Sequence, residues 1–357
     1  MKILLFIDSL GAGGAQRQLV GLAKMLKERD FNVEVLVYHD IPFYKSQLED
    51  VNIPVSIISG SVIRRIGNFF KFVKKYKPDW VISYLESPSI IASIIKPLLN
   101  YKLIVSERNT TQNFDRATRL RFEIFRLADY VVPNAYSQGQ FLSVNAPYLK
   151  QKIITINNFV DTEFFKPGIK HCIRNNMQEI VIAASIWPPK NTLRFIDAVE
   201  ILAKKNNRFH ISWYGKIPRH LEYINECLSV INNKGLSQYI TLIDKTQEIR
   251  EKYQNADIFC LPSLYEGTPN VIAEAMACGL PIICSDVCDN GLYVQNNVNG
   301  FLFDPLNPES IAQSIEQCLE LSDNEYQEFC KKSRSLAEEL FSPQNFIDKY
   351  TSLIERN

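Results

Sequence analysis

Short apolar runs alternate with amphipathic stretches along almost the whole chain, the rhythm of strands and helices laid down in turn. In the first half the runs Ile3–Asp8, Val33–Tyr38, Val55–Ile58, Trp80–Leu85, Leu103–Glu107, Tyr130–Asn134 and Ile153–Ile156 predict strands. The pattern restarts at Ile180–Ser185 and continues through Phe209–Tyr214, Ile240–Asp244, Ile258–Leu261 and Ile282–Ser285. Most of these runs are continuously apolar, as parallel strands buried on both faces are. Leu19, Leu22, Ala23 and Leu26 mark one face of a helix between the first two strands, and Phe346, Ile347, Tyr350 and Leu353 do the same in a final helix over Pro343–Arg356. Periodicity lapses between Phe159 and Asn176, around Pro167-Gly168. The expectation is an α/β protein of two doubly wound parallel-sheet domains, residues 1–165 and 166–342. The terminal helix, 343–357, either returns to the first domain or caps the second.

One stretch carries chemistry. After the apolar run Asp257–Leu261 comes Ser263-Leu-Tyr-Glu-Gly-Thr-Pro-Asn-Val-Ile-Ala-Glu-Ala-Met-Ala-Cys-Gly-Leu-Pro281. Thr268 is placed to act as N-cap, and Pro269 as the first helical residue, where a missing N–H costs nothing. Gly279 ends the helix and Pro281 prevents its return. Free backbone amides at about Thr268 to Val271, with the positive end of the helix dipole, would then face an anion such as a diphosphate. Glu266 precedes the helix, within reach of sugar hydroxyls, and Glu274 lies in its second turn, suited to the two hydroxyls of a ribose. Strand, Gly-Thr-Pro turn and small-residue helix are also ordinary parts of α/β domains.

A second loop, Gly11-Ala12-Gly13-Gly14-Ala15-Gln16, follows the first strand. Glycines there permit close backbone approach to a phosphate or a sugar. A dinucleotide fingerprint needs Gly-x-Gly-x-x-Gly, and Gln16 stands at the third glycine. Asp40, near the end of the second strand, is what remains of the nicotinamide reading; a simple tight turn is the other.

Taken whole, the string "Leu-Pro-Ser…Glu-Gly-Thr-Pro…Glu-Ala-Met-Ala-Cys-Gly-Leu-Pro" resembles the signature of the retaining GT-B glycosyltransferases of the large family 4-like, group 1 class, which assembles bacterial surface polysaccharides. The resemblance extends to "Ile104-Val-Ser-Glu-Arg-Asn109", to "Ile156-Asn-Asn-Phe-Val-Asp161" and to "Asn299-Gly-Phe-Leu-Phe303". It implies two Rossmann-like domains facing a cleft, the first for the acceptor and the second for a nucleoside diphosphate sugar. It implies Glu266, Lys190 and Arg108 as catalytic groups, with Gly13, Gly14, Lys216, Gly267, Thr268, Pro269, Asn270, Val271 and Glu274 as donor contacts. The chain departs from the family at three places. Lys190 keeps half of an Arg-x4-Lys phosphate grip, but Ser185 stands at the arginine, so that Arg108 or Lys216 is left to supply the second cation. The later Gly-Gly…Glu element reads Asp286-Val-Cys-Asp-Asn-Gly-Leu292, and Arg108 lies where some relatives have a histidine.

The implied reaction moves a hexosyl unit with retention to a glycan acceptor, lipid-linked or soluble, with no cofactor and no metal, since no Asp-x-Asp sits at a strand end. A GT-B-fold sugar-nucleotide epimerase and a non-catalytic sugar-nucleotide-binding subunit are the alternatives.

Composition bounds this picture. Hydrophobic residues make up 46% and charged ones 22%, which fits a globular chain and excludes disorder. No apolar run reaches the roughly 18 to 20 residues of a spanning helix, and the start is too quickly interrupted for a signal peptide, so a cytoplasmic protein is expected. The eight cysteines lack CxxC pairs, and Cys284 and Cys288 have no histidine nearby; they read as reduced and mostly buried. Net charge is +1, but 22 Lys and Arg face 15 Asp and Glu through Lys166, against 18 and 24 thereafter. Basic clusters at Arg64-Arg65, Lys71–Lys77 and Arg116, Arg119, Arg121 and Arg126 predict either solvated helix faces or attraction to an anionic membrane, where the enzyme would be peripheral. No nucleic-acid module accompanies them.

Overall fold

The computed structural model describes residues 1–108, 111, 113–169, 176–205, 208–217 and 221–355. Asn109, Cys172 and Arg356 lie outside the described residues. The chain divides into two compact units. The first comprises Met1–Asn158 together with the segment from Gln344 onward, and the second comprises Phe159–Pro343.

In the first unit the strands are β1 (Lys2–Phe6), β2 (Asn32–Val37), β3 (Val55–Ile57), β4 (Trp80–Tyr84), β5 (Lys102–Glu107) and β6 (Tyr130–Pro133). They form one sheet in the order β3-β2-β1-β4-β5-β6, with every pairing parallel; Leu5, for example, registers with Val35 and Ile82. Leu4, Leu5, Val35, Leu36, Val81 and Ile82 have no exposed surface, which is why these runs show no polar alternation. The predicted seventh strand, Ile153–Ile156, is not one. Ile153 makes a single bridge to Val131, and Ile154 and Ile156 donate to Val131 and Pro133, because a short loop turning away to leave the unit gives no room for a longer ladder.

The second unit contains β7 (Gln178–Ala183), β8 (Phe209–Tyr214), β9 (Ile240–Ile243), β10 (Ile258–Leu261), β11 (Ile282–Ser285) and β12 (Gly300–Phe303), in the order β12-β11-β10-β7-β8-β9. Both sheets therefore have the same winding. Each starts near its centre, runs to one edge, returns and runs to the other, leaving a topological switch point between β1 and β4 in one and between β7 and β10 in the other. Ligands of open α/β sheets bind outside the carboxyl ends of the strands at such points.

The unit boundary falls at Asn158/Phe159, earlier than residue 165. Val160 and Phe165 belong to the second unit's core beside Tyr253, Phe259 and Ile272, so hydrophobic burial pulls this segment out of the first unit. The helix Pro343–Glu355 buries Phe346, Ile347, Tyr350, Leu353 and Ile354, and from Gln344 it is part of the first unit. Arg29 binds it through Asp348 and through Thr351 Oγ1, the latter at 3.0 Å.

Candidate active site

In the second unit the switch point is built by two loops. After β7 the chain passes exposed Ser185 and makes a single 3₁₀ turn, Pro188–Lys190, in which the Lys190 amide donates to Trp187 O at 2.9 Å. Asn191 then adopts φ 66°, a conformation asparagine tolerates, and starts the helix Thr192–Ala203 while its Nδ2 donates to Pro305 O at 2.7 Å. After β10, Leu264 N donates to Pro189 O at 2.9 Å, tying the second loop to the first. The outcome is an ion pair between the two groups named from sequence: Lys190 Nζ lies 2.5 Å from Glu266 Oε1, and the side chains are 23% and 13% exposed.

The helix beside this pair runs Asn270–Ala277, with Pro269, not Thr268, as N-cap. Pro269 has ψ 102°, outside the helical range, so its carbonyl takes the first intrahelical bonds, from Ile272 and Ala273, and Thr268 is buried one residue earlier. The helix end matches its sequence. Gly279 has φ 79°, its N–H donates to Met276 O, and Leu280 N donates to Ala275 O, which is the Schellman arrangement. Glu274 lies on the inner face, only 3% exposed, with Tyr253 Oη donating to its Oε2 at 3.4 Å. The Glu274 carboxyl is therefore held inside the fold. Gly267, Thr268, Asn270 and Val271 all sit on this loop and first turn.

Lys216 is exposed directly after β8, and its carbonyl accepts from Ile186 N at 3.3 Å. Gly215 makes that approach feasible, since a Cβ there would lie 1.9 Å from Ala184 O. Of the two stand-ins for the missing arginine, Lys216 is the one whose backbone abuts the Ser185 loop. Arg108 is placed quite differently. It is 9% exposed in the first unit, donating to Asn158 Oδ1 at 2.7 Å, Tyr84 Oη at 2.5 Å and Tyr350 Oη at 2.8 Å, with its guanidinium 4.1 Å from the Tyr84 ring centre. The expected donor-facing cation is instead a buried tie joining β4, β5, the end of the first unit's main segment and the terminal helix.

Cys288, within the divergent Asp286–Leu292 segment, is the exposed cysteine among the described ones, and its thiol hydrogen-bonds the Glu266 backbone. Burial and the nearby Asp289 and Glu266 charges push that thiol up. Sequence offered no signal for this contact, because it joins loops following different strands.

Gly13 and Gly14 lie at the first unit's switch point. Gly13 is the N-cap of the helix Gly14–Glu28, and a Cβ on it would lie 2.2 Å from Gln16 Oε1, so the glycine makes space for the glutamine that breaks the dinucleotide fingerprint. Gln16 Nε2 donates to Asp8 Oδ1 at 3.0 Å. Across the switch point Leu85 has φ 70° and ψ 165°, a region that is almost exclusive to glycine and costs about 1–3 kcal/mol. Next to it Glu107 is 4% exposed, 3.6 Å from Arg121, and burial pushes its carboxyl up to about 7 against the pull of Arg121. Arg121 also holds Glu86 at 2.9 Å, so it is no part of a solvated basic face.

Among the described residues no three His, Cys, Asp or Glu side chains converge as metal ligands, and no helix is long and apolar enough to cross a membrane.

Known proteins resemble this chain in sequence and in fold. Residues 178–321 match the model of "Glycosyl transferases group 1" and residues 12–164 that of "Glycosyltransferase Family 4", together well over half the chain. An Escherichia coli UDP-Gal:alpha-D-GlcNAc-diphosphoundecaprenol alpha-1,3-galactosyltransferase is 23% identical over 85% of this chain and 84% of its own length. A Campylobacter jejuni alpha-1,4-N-acetyl-D-galactosaminyltransferase, named for an undecaprenol-linked acceptor, is 24% identical over 89% of each. In structure, Anabaena HepE in complex with UDP and glucose superposes with a TM-score of 0.88 at 20% identity, over 100% of both chains. Two Rossmann-like units of identical winding, a family signature filling the second unit's switch point and family matches in both halves lead to one conclusion: the chain belongs to the group 1, family 4-like glycosyltransferases.

Proposed function

We propose that the protein transfers a hexosyl residue from a nucleoside diphosphate sugar to a lipid-linked glycan acceptor, with retention at the anomeric carbon, in surface polysaccharide assembly. The observation that carries the reading is the Lys190–Glu266 pair at the carboxyl edge of β7 and β10, beside the start of the Asn270–Ala277 helix. A cation and a helix N-terminus suit the charge that grows on a departing diphosphate. A donor diphosphate gives Lys190 a new anionic partner and releases Glu266 toward the sugar, where its charge favours an oxocarbenium-like centre. The glycosidic C–O bond to the β-phosphate breaks, the acceptor oxygen bonds to the same face of the sugar, and the leaving phosphate takes the acceptor's proton. Glu274 serves the ribose, Lys216 supplements Lys190, and Arg108 positions the first unit.

The relatives' names support the donor and acceptor classes. The helix Val62–Tyr76 supports a peripheral association with the membrane. Arg64, Lys71, Lys74 and Lys75 are exposed on it and Lys77 just beyond it, while Val62 and Ile63 at its start are 62% and 83% exposed. Apolar groups beside basic ones suit a bilayer interface.

The test is release of UDP from UDP-hexoses with a short-chain polyprenyl-diphosphate-linked sugar, followed by NMR of the new linkage. An α product from an α donor is expected. An inverted product removes retention, an epimerised donor favours the epimerase, and donor binding without release favours a binding subunit.

A further inference from the structure

Of the three tryptophans, Trp80 and Trp213 are 2% and 0% exposed, as core residues are, whereas Trp187 is 52% exposed. It stands just beyond the carboxyl end of β7, and its backbone is held on both sides. Before it, buried Ile186 donates its N–H to Lys216 O; after it, Pro188 and Pro189 fix their own φ, and the Trp187 carbonyl accepts from Lys190 N. The indole has no hydrogen bond and no aromatic or cationic neighbour among the described residues. A second aromatic, Tyr265, is 36% exposed and immediately precedes Glu266. Since Leu264 N donates to Pro189 O, Trp187 and Tyr265 belong to the same tied pair of loops as Lys190 and Glu266.

Tryptophan is highly buried on average, so a ring presented to solvent by a rigid turn suits a ligand with an apolar face and polar edges. The C–H face of a pyranose is such a ligand, and an indole offers it a large apolar area at little conformational cost. Position decides which sugar. When the new bond forms on the face the leaving group departs from, the acceptor oxygen lies beside the departing phosphate and gives it its proton. The acceptor ring therefore adjoins the loop whose lysine grips that phosphate. Trp187 is three residues before Lys190, about 6 Å along a 3₁₀ turn. The nucleobase lies at the other end of the donor, beyond the ribose served by Glu274. An anionic bilayer is disfavoured, because the chain after Lys166 carries 18 Lys and Arg against 24 Asp and Glu.

We propose that Trp187 is an acceptor-binding residue that stacks on the apolar face of the sugar being extended, so that the second unit takes part in acceptor recognition. This rests on the retaining-transferase reading above.

Trp187→Ala and Trp187→Phe test it, with a short-chain polyprenyl-diphosphate-linked N-acetylhexosamine as acceptor. Acceptor KM is expected to rise about ten-fold in the alanine variant and to be largely restored by phenylalanine. UDP affinity and melting temperature should stay unchanged, because the side chain is half exposed and outside the core. With the other two tryptophans buried, acrylamide quenching of the wild-type emission reports chiefly on Trp187. Quenching is expected to fall when the sugar-bearing acceptor binds, and to be unaffected by the same polyprenyl diphosphate without sugar and by UDP alone. Protection by UDP alone assigns the ring to the nucleobase, and protection by the sugar-free polyprenyl diphosphate or by phosphatidylglycerol liposomes assigns it to lipid. Either outcome, or an unaltered acceptor KM in Trp187→Ala, overturns the proposal. Failure of the transferase reading shows separately, as wild-type protein that releases no UDP in the presence of acceptor.

Discussion

Replacing Lys190 by alanine separates a catalytic cation from a structural one, because the two roles call for different magnitudes. The Lys190–Glu266 pair is short, 2.5 Å, but its side chains are 23% and 13% exposed. Fully exposed pairs contribute about 0.2–1 kcal/mol, and breaking fully buried ones costs about 3–5. A pair between those limits, with enough solvent to hydrate the orphaned Glu266, places the stability loss at about 1–2 kcal/mol. For a unit the size of Phe159–Pro343 that lowers Tm by roughly 2–8 °C. A preorganised group aimed at transition-state charge contributes far more, about 10²–10³ in kcat. The expected outcome for Lys190→Ala is therefore a several-hundred-fold loss of UDP release per folded molecule with a modest fall in Tm, and Lys190→Arg should recover part of the rate. Glu266→Gln removes the partner without removing the cation, and its effect on Tm should largely overlap that of Lys190→Ala in a double-mutant cycle. A Tm drop beyond about 10 °C with normal turnover by the remaining folded protein refutes the catalytic role and leaves Lys190 as a fastener of the two loops.

Glu274→Gln preserves packing at a 3% exposed position but weakens the acceptor for a ribose, so UDP affinity should fall about ten-fold or more with little change in Tm; unchanged affinity removes Glu274 from the site. Glu107 is raised from 4.5 to about 7, so the folded state holds a proton that the unfolded state has lost between those values, and stability declines as pH rises through that window. Glu107→Gln should accordingly match wild type near pH 4 and exceed it by up to about 3 kcal/mol at pH 8 in denaturant titrations, and equal pH slopes count against the assignment. Tyr350→Phe strips a hydroxyl from Arg108 and should cost about 1.5–3 kcal/mol, with faster amide exchange in the helix Pro343–Glu355; native exchange there shows that the tie is dispensable. Charge reversal of Lys71, Lys74, Lys75 and Lys77 to glutamate should abolish salt-sensitive binding to anionic liposomes and spare UDP binding, and equal binding by both proteins sinks the membrane reading.

Sequence by itself determined the elements and their winding class. Continuous apolar runs such as Ile258–Leu261 can only be satisfied by burial on both faces, and the Gly279-Leu-Pro281 stop encodes its own Schellman end. It also named Lys190 and Glu266, although 76 residues apart, because each belongs to a local motif after a strand. Tertiary structure alone decided what depends on which strands become neighbours. Arg108 looked like a cation at a strand end; its environment is set by Tyr84, Asn158 and Tyr350, residues from separate elements that no local pattern links. The same holds for the helix start, where Pro269, with ψ 102° outside the helical range, takes the cap position that spacing assigned to Thr268. Glu107 reads in sequence as one polar residue at the end of an apolar run. Its proton affinity is set by burial in the assembled unit and by Arg121 and Glu86 from separate helices, neighbours fixed by long-range packing rather than by spacing along the chain.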